Sequence, residues 1–205
     1  MAVVVDISIS LDGFVTGPDS GVHAGLGERG EALHEWAMAS TDPVDRLVLE
    51  EATARTGAVV MGRTLFDVVD APDGWSDSLG YGGRRDQAAR PPVFVVTRVE
   101  PERVRLVDLF SFRSSLDDAL DAALAAAGAK DVVVMGGGMA ARGALLSGRA
   151  DELVLHVAPV VLGRGTPLFE PGMPTVRLEW RETRTSSAAQ HLRYRVGTVE
   201  EWPTA

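Results

Sequence analysis

Val-Val-Val-Met-Gly-Gly-Gly-Met-Ala, residues 132–140, is a short apolar run that breaks into three glycines and passes at once into helix-forming sequence. Four apolar residues closed by glycine read as a buried strand. Glycine lets the backbone turn sharply and lets another backbone, or a phosphate, come close. A helix starting near Met139 would aim its unpaired N–H groups into that turn, making it an anion site through hydrogen bonds and the helix dipole. The expectation is a cofactor pyrophosphate held by Gly136, Gly137, Gly138, Met139 and Ala140. The competing reading is that the glycines serve only close packing of strand on helix.

Upstream of this stretch the chain alternates strand and helix. Residues 3–10 read as a first strand with Asp6, Ser8 and Ser10 on one face, followed by a glycine-rich loop to about Gly27. A helix is expected over 31–40, with Leu33, Trp36 and Ala37 on one side. Thr41-Asp42-Pro43 starts another, with an N-cap residue before Pro and Gly57 as its stop. A buried strand at 58–61 ends in Gly62-Arg63-Thr64, and a short helix runs to Val69. Residues 70–92 read as a loop, 93–97 as a third strand and 106–112 as a fourth. A serine, Ser114 or Ser115, caps a helix that stops at Gly128.

Downstream the pattern changes. Residues 151–161, 175–185 and 190–196 look like strands with no helix between them. The fold class is therefore α/β, a mostly parallel sheet finished by antiparallel edge strands. One domain is expected over 1–197, with 198–205 as a tail.

The chain has 205 residues, 45% of them apolar, enough for a sizeable core. Its net charge of −9 argues against nucleic acid or an anionic membrane as the main partner. With no cysteine, disulfides, thiolate catalysis and Cys-ligated zinc are excluded. The start has neither a basic n-region nor a long apolar run, so a soluble cytoplasmic protein is expected.

Several near-matches to known motifs fail. Gly136-x-Gly138-x-x-Ala141 fits a dinucleotide fingerprint, but the acid expected about 20 residues on is absent from Val160-Val161-Leu162-Gly163. Gly57-x-x-x-x-Gly62-Arg63-Thr64 resembles a P-loop, but the residues between are strand core. The four histidines have no metal-ligand spacing, and no metal is expected.

What remains is a set of strand ends. In an open α/β sheet, ligands lie beyond the carboxyl ends of the parallel strands. Those ends bring Ser10, Asp12 and Gly13; Gly62, Arg63 and Thr64; Thr97 and Arg98; and the glycine turn. Two guanidinium groups, hydroxyls and free amides suit a polyanion. A second arginine fits the extra ribose phosphate of NADP rather than NAD.

These residues carry a resemblance. Ser10-Leu11-Asp12-Gly13, Met61-Gly62-Arg63-Thr64-Leu65-Phe66, Val95-Val96-Thr97-Arg98, Met135-Gly136-Gly137-Gly138 and the run from Asp151 through His156 to Leu162-Gly163 occur in this order over residues 3–196. The chain resembles the dihydrofolate reductase-like superfamily, in its riboflavin-biosynthesis reductase branch. The resemblance implies a three-layer fold with a central sheet of about eight strands, and an NADPH site. Gly62, Arg63, Thr64, Thr97 and Arg98 would face the adenosine and its 2′-phosphate. The glycine turn would take the pyrophosphate, Asp12 and Gly13 would lie near the nicotinamide, and Leu162 and Gly163 would border the cleft. It also implies a small-molecule substrate, a heterocycle or riboflavin precursor. Self-association into a homodimer would use the apolar faces of the late strands.

On this reading Ser10, Asp12, Trp36, Phe66 and His156 wall the substrate pocket. Asp12 is the candidate proton donor, with burial raising its pKa; the alternative is an Asx-turn ahead of Gly13. Trp36 and Phe66 are either wall or core, and His156 is either a satisfied core histidine or a proton relay. An NADPH-dependent reductase is the first functional expectation. A protein of this fold that binds nucleotide without turnover is the second.

Overall fold

Val3–Ser10 forms β1, a strand covered on both faces. In the computed structural model, which describes residues 1–202, it lies inside an eight-stranded sheet. Helix α1 (Pro43–Arg55) leads into β2 (Thr56–Gly62) and α2 (Arg63–Val69). Next come β3 (Val93–Val96), β4 (Phe110–Arg113) and α3 (Leu116–Ala127). The chain closes with β5 (Asp131–Val134), α4 (Gly138–Leu146), β6 (Glu152–Ala158) and the hairpin of β7 (Thr175–Thr185) and β8 (Gln190–Glu200). The strand order is β7-β8-β6-β1-β5-β2-β3-β4. Strands β6 through β4 in that order run parallel, while β8 and β7 are antiparallel. The mostly parallel sheet with antiparallel C-terminal strands is as expected, and β6 belongs to its parallel part. The carboxyl ends of six strands therefore share one edge.

Alternation along β1 splits the core in two. Val3, Val5, Ile7 and Ile9 pack with Ala119, Leu120 and Ala123 of α3 and Ala141, Ala144 and Leu145 of α4. On the other face Val4 joins Val59, Met61 and Val133 against Phe66, Trp75, Tyr81 and Phe110. Helix α1 covers part of that second face, where Val44 and Val48 meet Trp36 and Ala189. Local chemistry sets the helix starts. Asp42 accepts the Val44 amide with Pro43 at the first position, and Ser115 accepts the Asp118 amide. Among the described residues no helix is long and apolar enough to cross a membrane.

Five local readings need correction. Residues 31–40 are not one helix but a 3-10 turn (Gly30–His34) running into one α-turn (Glu35–Met38). Neither start has a side-chain cap, and the buried anchors Leu33 and Trp36 lie three apart, the spacing of a 3-10 turn. Gly57 does not stop α1; it lies inside β2, where Ala127 and Lys130 press against it. The fourth strand begins at Phe110 because the Asp70 carboxylate takes the Arg105 and Leu106 amides and holds that part in a turn. Residues 70–92 hold a small hairpin (Leu79–Gly80 with Gly83–Arg84) and send Trp75 and Tyr81 into the core. Strand β8 continues to Glu200, past the expected boundary at 197. Of the expected tail, 203–205 lie outside the described residues.

Candidate functional site

The shared carboxyl-end edge gathers the expected cofactor residues into three contact groups. At the centre, the Gly62 amide donates to the Gly136 carbonyl at 3.2 Å. A Cβ on Gly62 would stand 3.8 Å from Ala140 Cβ. Gly136 adopts φ +118°, a conformation that favours glycine, and so turns the chain from β5 toward α4. Gly138 is hemmed in, with Val15 and Thr166 each 3.2 Å from where a Cβ would be. Gly137 is open: nothing lies within 4 Å of that position. The amides of Gly137, Gly138 and Met139 have no hydrogen-bond partner among the described residues. They are the orphan donors of a helix start. The residues present therefore fit a pyrophosphate at this turn.

Toward β3, Arg63 is fixed in place. Its Nε donates to Asp67 at 2.7 Å, and its Nη1 donates to the Val99 carbonyl at 2.8 Å and to Thr97 Oγ1 at 3.5 Å. Arg98 is exposed and makes no hydrogen bond or ion pair among the described residues. Thr64 is exposed at the start of α2. The two arginines thus differ in kind: one is a strut, the other a free cation.

Toward β6, Asp12 joins two loops. Its carboxylate accepts the Leu162 amide at 3.1 Å and the Gly163 amide at 2.7 Å. The Leu11 amide reaches the Val160 carbonyl at 2.8 Å, and the Gly13 carbonyl takes the Leu168 amide at 2.9 Å. Asp12 is exposed, and its pKa is lowered, by the Ser10 hydroxyl foremost and then by the Gly163 and Leu162 amides. Burial with a raised pKa, expected for a proton donor here, is therefore not what the loop provides. Exposed apolar side chains (Leu11, Met139 and Val161) rim the same edge.

The expected pocket residues do not meet at this edge. Ser10 is fully buried and accepts the Phe14 amide at 2.9 Å. Phe66 is 2% exposed, edge-on to Phe110 and Phe112 in the core, and walls nothing. Trp36 and His156 lie deeper, beneath α1 and the turn before it. Trp36 donates to Ser8 Oγ at 2.9 Å, and its ring lies 4.0 Å from that of His156. His156 is 1% exposed and contacts Asp6 and His191. That polar cluster, with Asp45 and His34, was not foreseen as a unit. The one signal for it was the polar face Asp6-Ser8-Ser10 on a buried strand, which calls for polar partners.

The sheet order, mostly parallel with antiparallel C-terminal strands, is that of a dihydrofolate reductase-like α/β fold. A family model described as the RibD C-terminal domain matches residues 1–192, and the chain belongs to that family. Among solved structures, a putative riboflavin biosynthesis protein from Shewanella sp. PV-4 is similar at 23% identity. It covers 97% of this chain and 100% of its own, with a TM-score of 0.69. A pyrimidine reductase-like protein from Corynebacterium diphtheriae follows at 21% identity, with coverage of 96% and 91% and a TM-score of 0.55. A diaminohydroxyphosphoribosylaminopyrimidine deaminase/5-amino-6-(5-phosphoribosylamino)uracil reductase from Thermotoga maritima matches at 13% identity and a TM-score of 0.58. There the match covers 96% of this chain but 56% of the longer relative. At these identities the likeness is one of fold. No curated protein matches the chain.

Proposed function

We propose that this protein is a cytoplasmic NADPH-dependent reductase acting on a small heterocyclic substrate of the riboflavin-precursor kind, close to 5-amino-6-(5-phosphoribosylamino)uracil. The observation that carries the reading is the open turn at Gly137 with three free amides, with Arg98, unpaired among the described residues, two strands away on the same sheet edge. NADPH would supply the hydride. The chain's own part is to seat the pyrophosphate on the turn, to neutralise the 2′-phosphate with Arg98, and to close the nicotinamide end with the loops that Asp12 ties together. Holding reactants in line and excluding water is most of what hydride transfer asks of a protein. Asp12 is assigned to positioning, and not to proton donation.

Titration with NADPH and NADH, followed by tryptophan fluorescence, tests this. NADPH is expected to bind tighter. Arg98→Ala should weaken NADPH about tenfold and leave NADH alone, the size of one charge-assisted phosphate contact. Absence of binding by either nucleotide would sink the reading. One observation favours binding without turnover: Asp12, whose carboxylate ties the two loops together, has a lowered pKa. Turnover of the uracil precursor separates the two.

We also propose a homodimer. Leu145, Leu153, Phe169, Met173, Pro174, Val176 and Leu178 line an apolar groove beside edge strand β7, and Trp180 on that strand is 63% exposed. Apolar surface of this kind on a sheet edge is usually covered. Light scattering should give twice the chain mass, and Trp180→Glu should give the monomer; a wild-type monomer would refute the dimer.

A further inference from the structure

Asp6, His156, His191 and Asp45 stand end to end beneath Trp36. His156 Nε2 lies 2.9 Å from Asp6 Oδ1, the two Nδ1 atoms are 2.7 Å apart, and His191 Nε2 lies 2.8 Å from Asp45 Oδ1. The Ser40 hydroxyl donates to the other Asp45 oxygen. The imidazole side chains are 2% and 4% exposed and Asp45 is 1% exposed. Asp6, at 20%, faces a groove between α1 and the sheet. This groove lies toward the amino ends of the strands, where Thr56 and Asp131 begin β2 and β5, away from the cofactor edge.

The geometry fixes a proton count. Three contacts link the four groups, and each needs one proton between its two heavy atoms. Two neutral imidazoles own two protons, and two carboxylates own none. One contact would then set lone pair against lone pair in a buried site, where an unmade hydrogen bond costs most. We propose that Asp6, His156, His191 and Asp45 form a one-proton acid–base site, holding together one proton beyond those of two neutral imidazoles. The site carries a charge of −1 with this proton and −2 without it. The proton belongs to the whole array, as in any strongly coupled set. Asp6 is its outlet to the groove.

Burial first, and then the charge of His156, lower the His191 pKa against the pull of Asp45 and Asp6, so the extra proton is called for by the three contacts and not by this imidazole alone. His34 faces the array from the turn with an unpartnered Nδ1, and burial foremost lowers its pKa to about 4, so it is neutral. Trp36 and Ser8 are neutral. The charges around the groove pair with one another: Arg55 with Asp131, Arg184 with Glu51 and Glu182, Arg193 with Glu152.

The test is a linkage measurement on the full chain, and it needs no substrate or cofactor. Above the ordinary histidine pKa of ~6.5 the unfolded groups hold two protons and the folded site three. Stability from the site is therefore greatest near that value: it is lost as pH rises, and it falls again below, where the two unfolded imidazoles bind four protons against the folded site's three. His34 acts elsewhere and in the opposite sense. Its folded value of about 4 lies below its unfolded one, so its effect is confined to the range between the two and costs stability as pH falls. From pH 7.5 to 8.5 the wild-type folding constant is expected to fall about tenfold per pH unit, with one proton taken up on refolding.

Asp45→Asn should remove both signals, because its amide donates to His191 Nε2 and two ring protons then satisfy all three contacts. Asp6→Asn should do the same at the other end. The α-amino group titrates in this range, so the result is read as wild type minus variant. No difference between wild type and either variant overturns the proposal. If neither variant folds, ring-nitrogen NMR on the wild type decides. A bare Nε2 facing an ionised carboxylate overturns the proposal; three protons over three contacts uphold it.

Discussion

Gly57→Ala is expected to lower the unfolding free energy by about 3 kcal/mol, near the top of the usual range for overpacking. A Cβ there would stand 2.4 Å from the Ala127 carbonyl oxygen, 2.8 Å from Ala127 Cα and 2.8 Å from Lys130 Cβ. Two of those three neighbours are backbone at the end of α3, which cannot rotate aside. Against this, alanine in place of glycine inside a strand gains roughly 0.5–1 kcal/mol in chain entropy. The clash wins, because relieving it means shifting α3 or widening the step where the β2–β5 pairing changes register between Thr56 and Ala58. Urea unfolding measures the difference. A loss under about 1 kcal/mol would show that the α3–β2 contact is softer than its distances imply.

Gly137→Leu should act in the opposite way, sparing the fold and abolishing the cofactor site. No atom lies within 4 Å of a Cβ at this position, whereas Gly136 has φ +118° and Gly138 is crowded by Val15, Thr166 and the Pro167 carbonyl. Of the three glycines, only Gly137 can therefore carry a side chain without disturbing the structure. A leucine there would fill the space beside the free amides. The melting temperature should stay within a few degrees of wild type, a change of about 1 kcal/mol at most. NADPH affinity should fall at least 100-fold, equivalent to about 2.7 kcal/mol. Wild-type affinity in a folded Gly137→Leu protein would mean that the turn serves packing alone.

Much of the fold was legible because it rests on local signals. The glycine turn after Val134, the Asp42-Pro43 helix start, the Ser115 cap and the arginine after Gly62 all declare themselves within a few residues. Contacts that span the chain did not. Asp12 meets Gly163, 151 residues on, and whether such an acid binds a loop or a substrate depends on a neighbour the sequence does not specify. His156 meets His191 only through the β6–β8 register. A one-residue slip would turn either ring to the opposite face. Phe66 follows a functional-looking Gly-Arg-Thr run, but the first turn of α2 rotates it into the core beside Phe110. The two arginines looked equivalent in sequence; the Asp67 carboxylate four residues along the helix is what ties one of them down.

The place of β1 has a consequence for how the chain is made. Strand β1 leaves the ribosome well before its partners β5 and β6, which set Val132 beside Val3 and Glu152 beside Val4. Neither partner exists until synthesis has passed Val132 and Glu152. At the usual 5–20 residues per second that delay is on the order of ten seconds. Meanwhile Val3, Val4, Val5, Ile7 and Ile9 have no sheet to enter. Closing contacts of such long range is slow as well as late. Strand β1 is thus a part of the nascent chain that needs shielding from aggregation, by a chaperone or by interim contacts of its own.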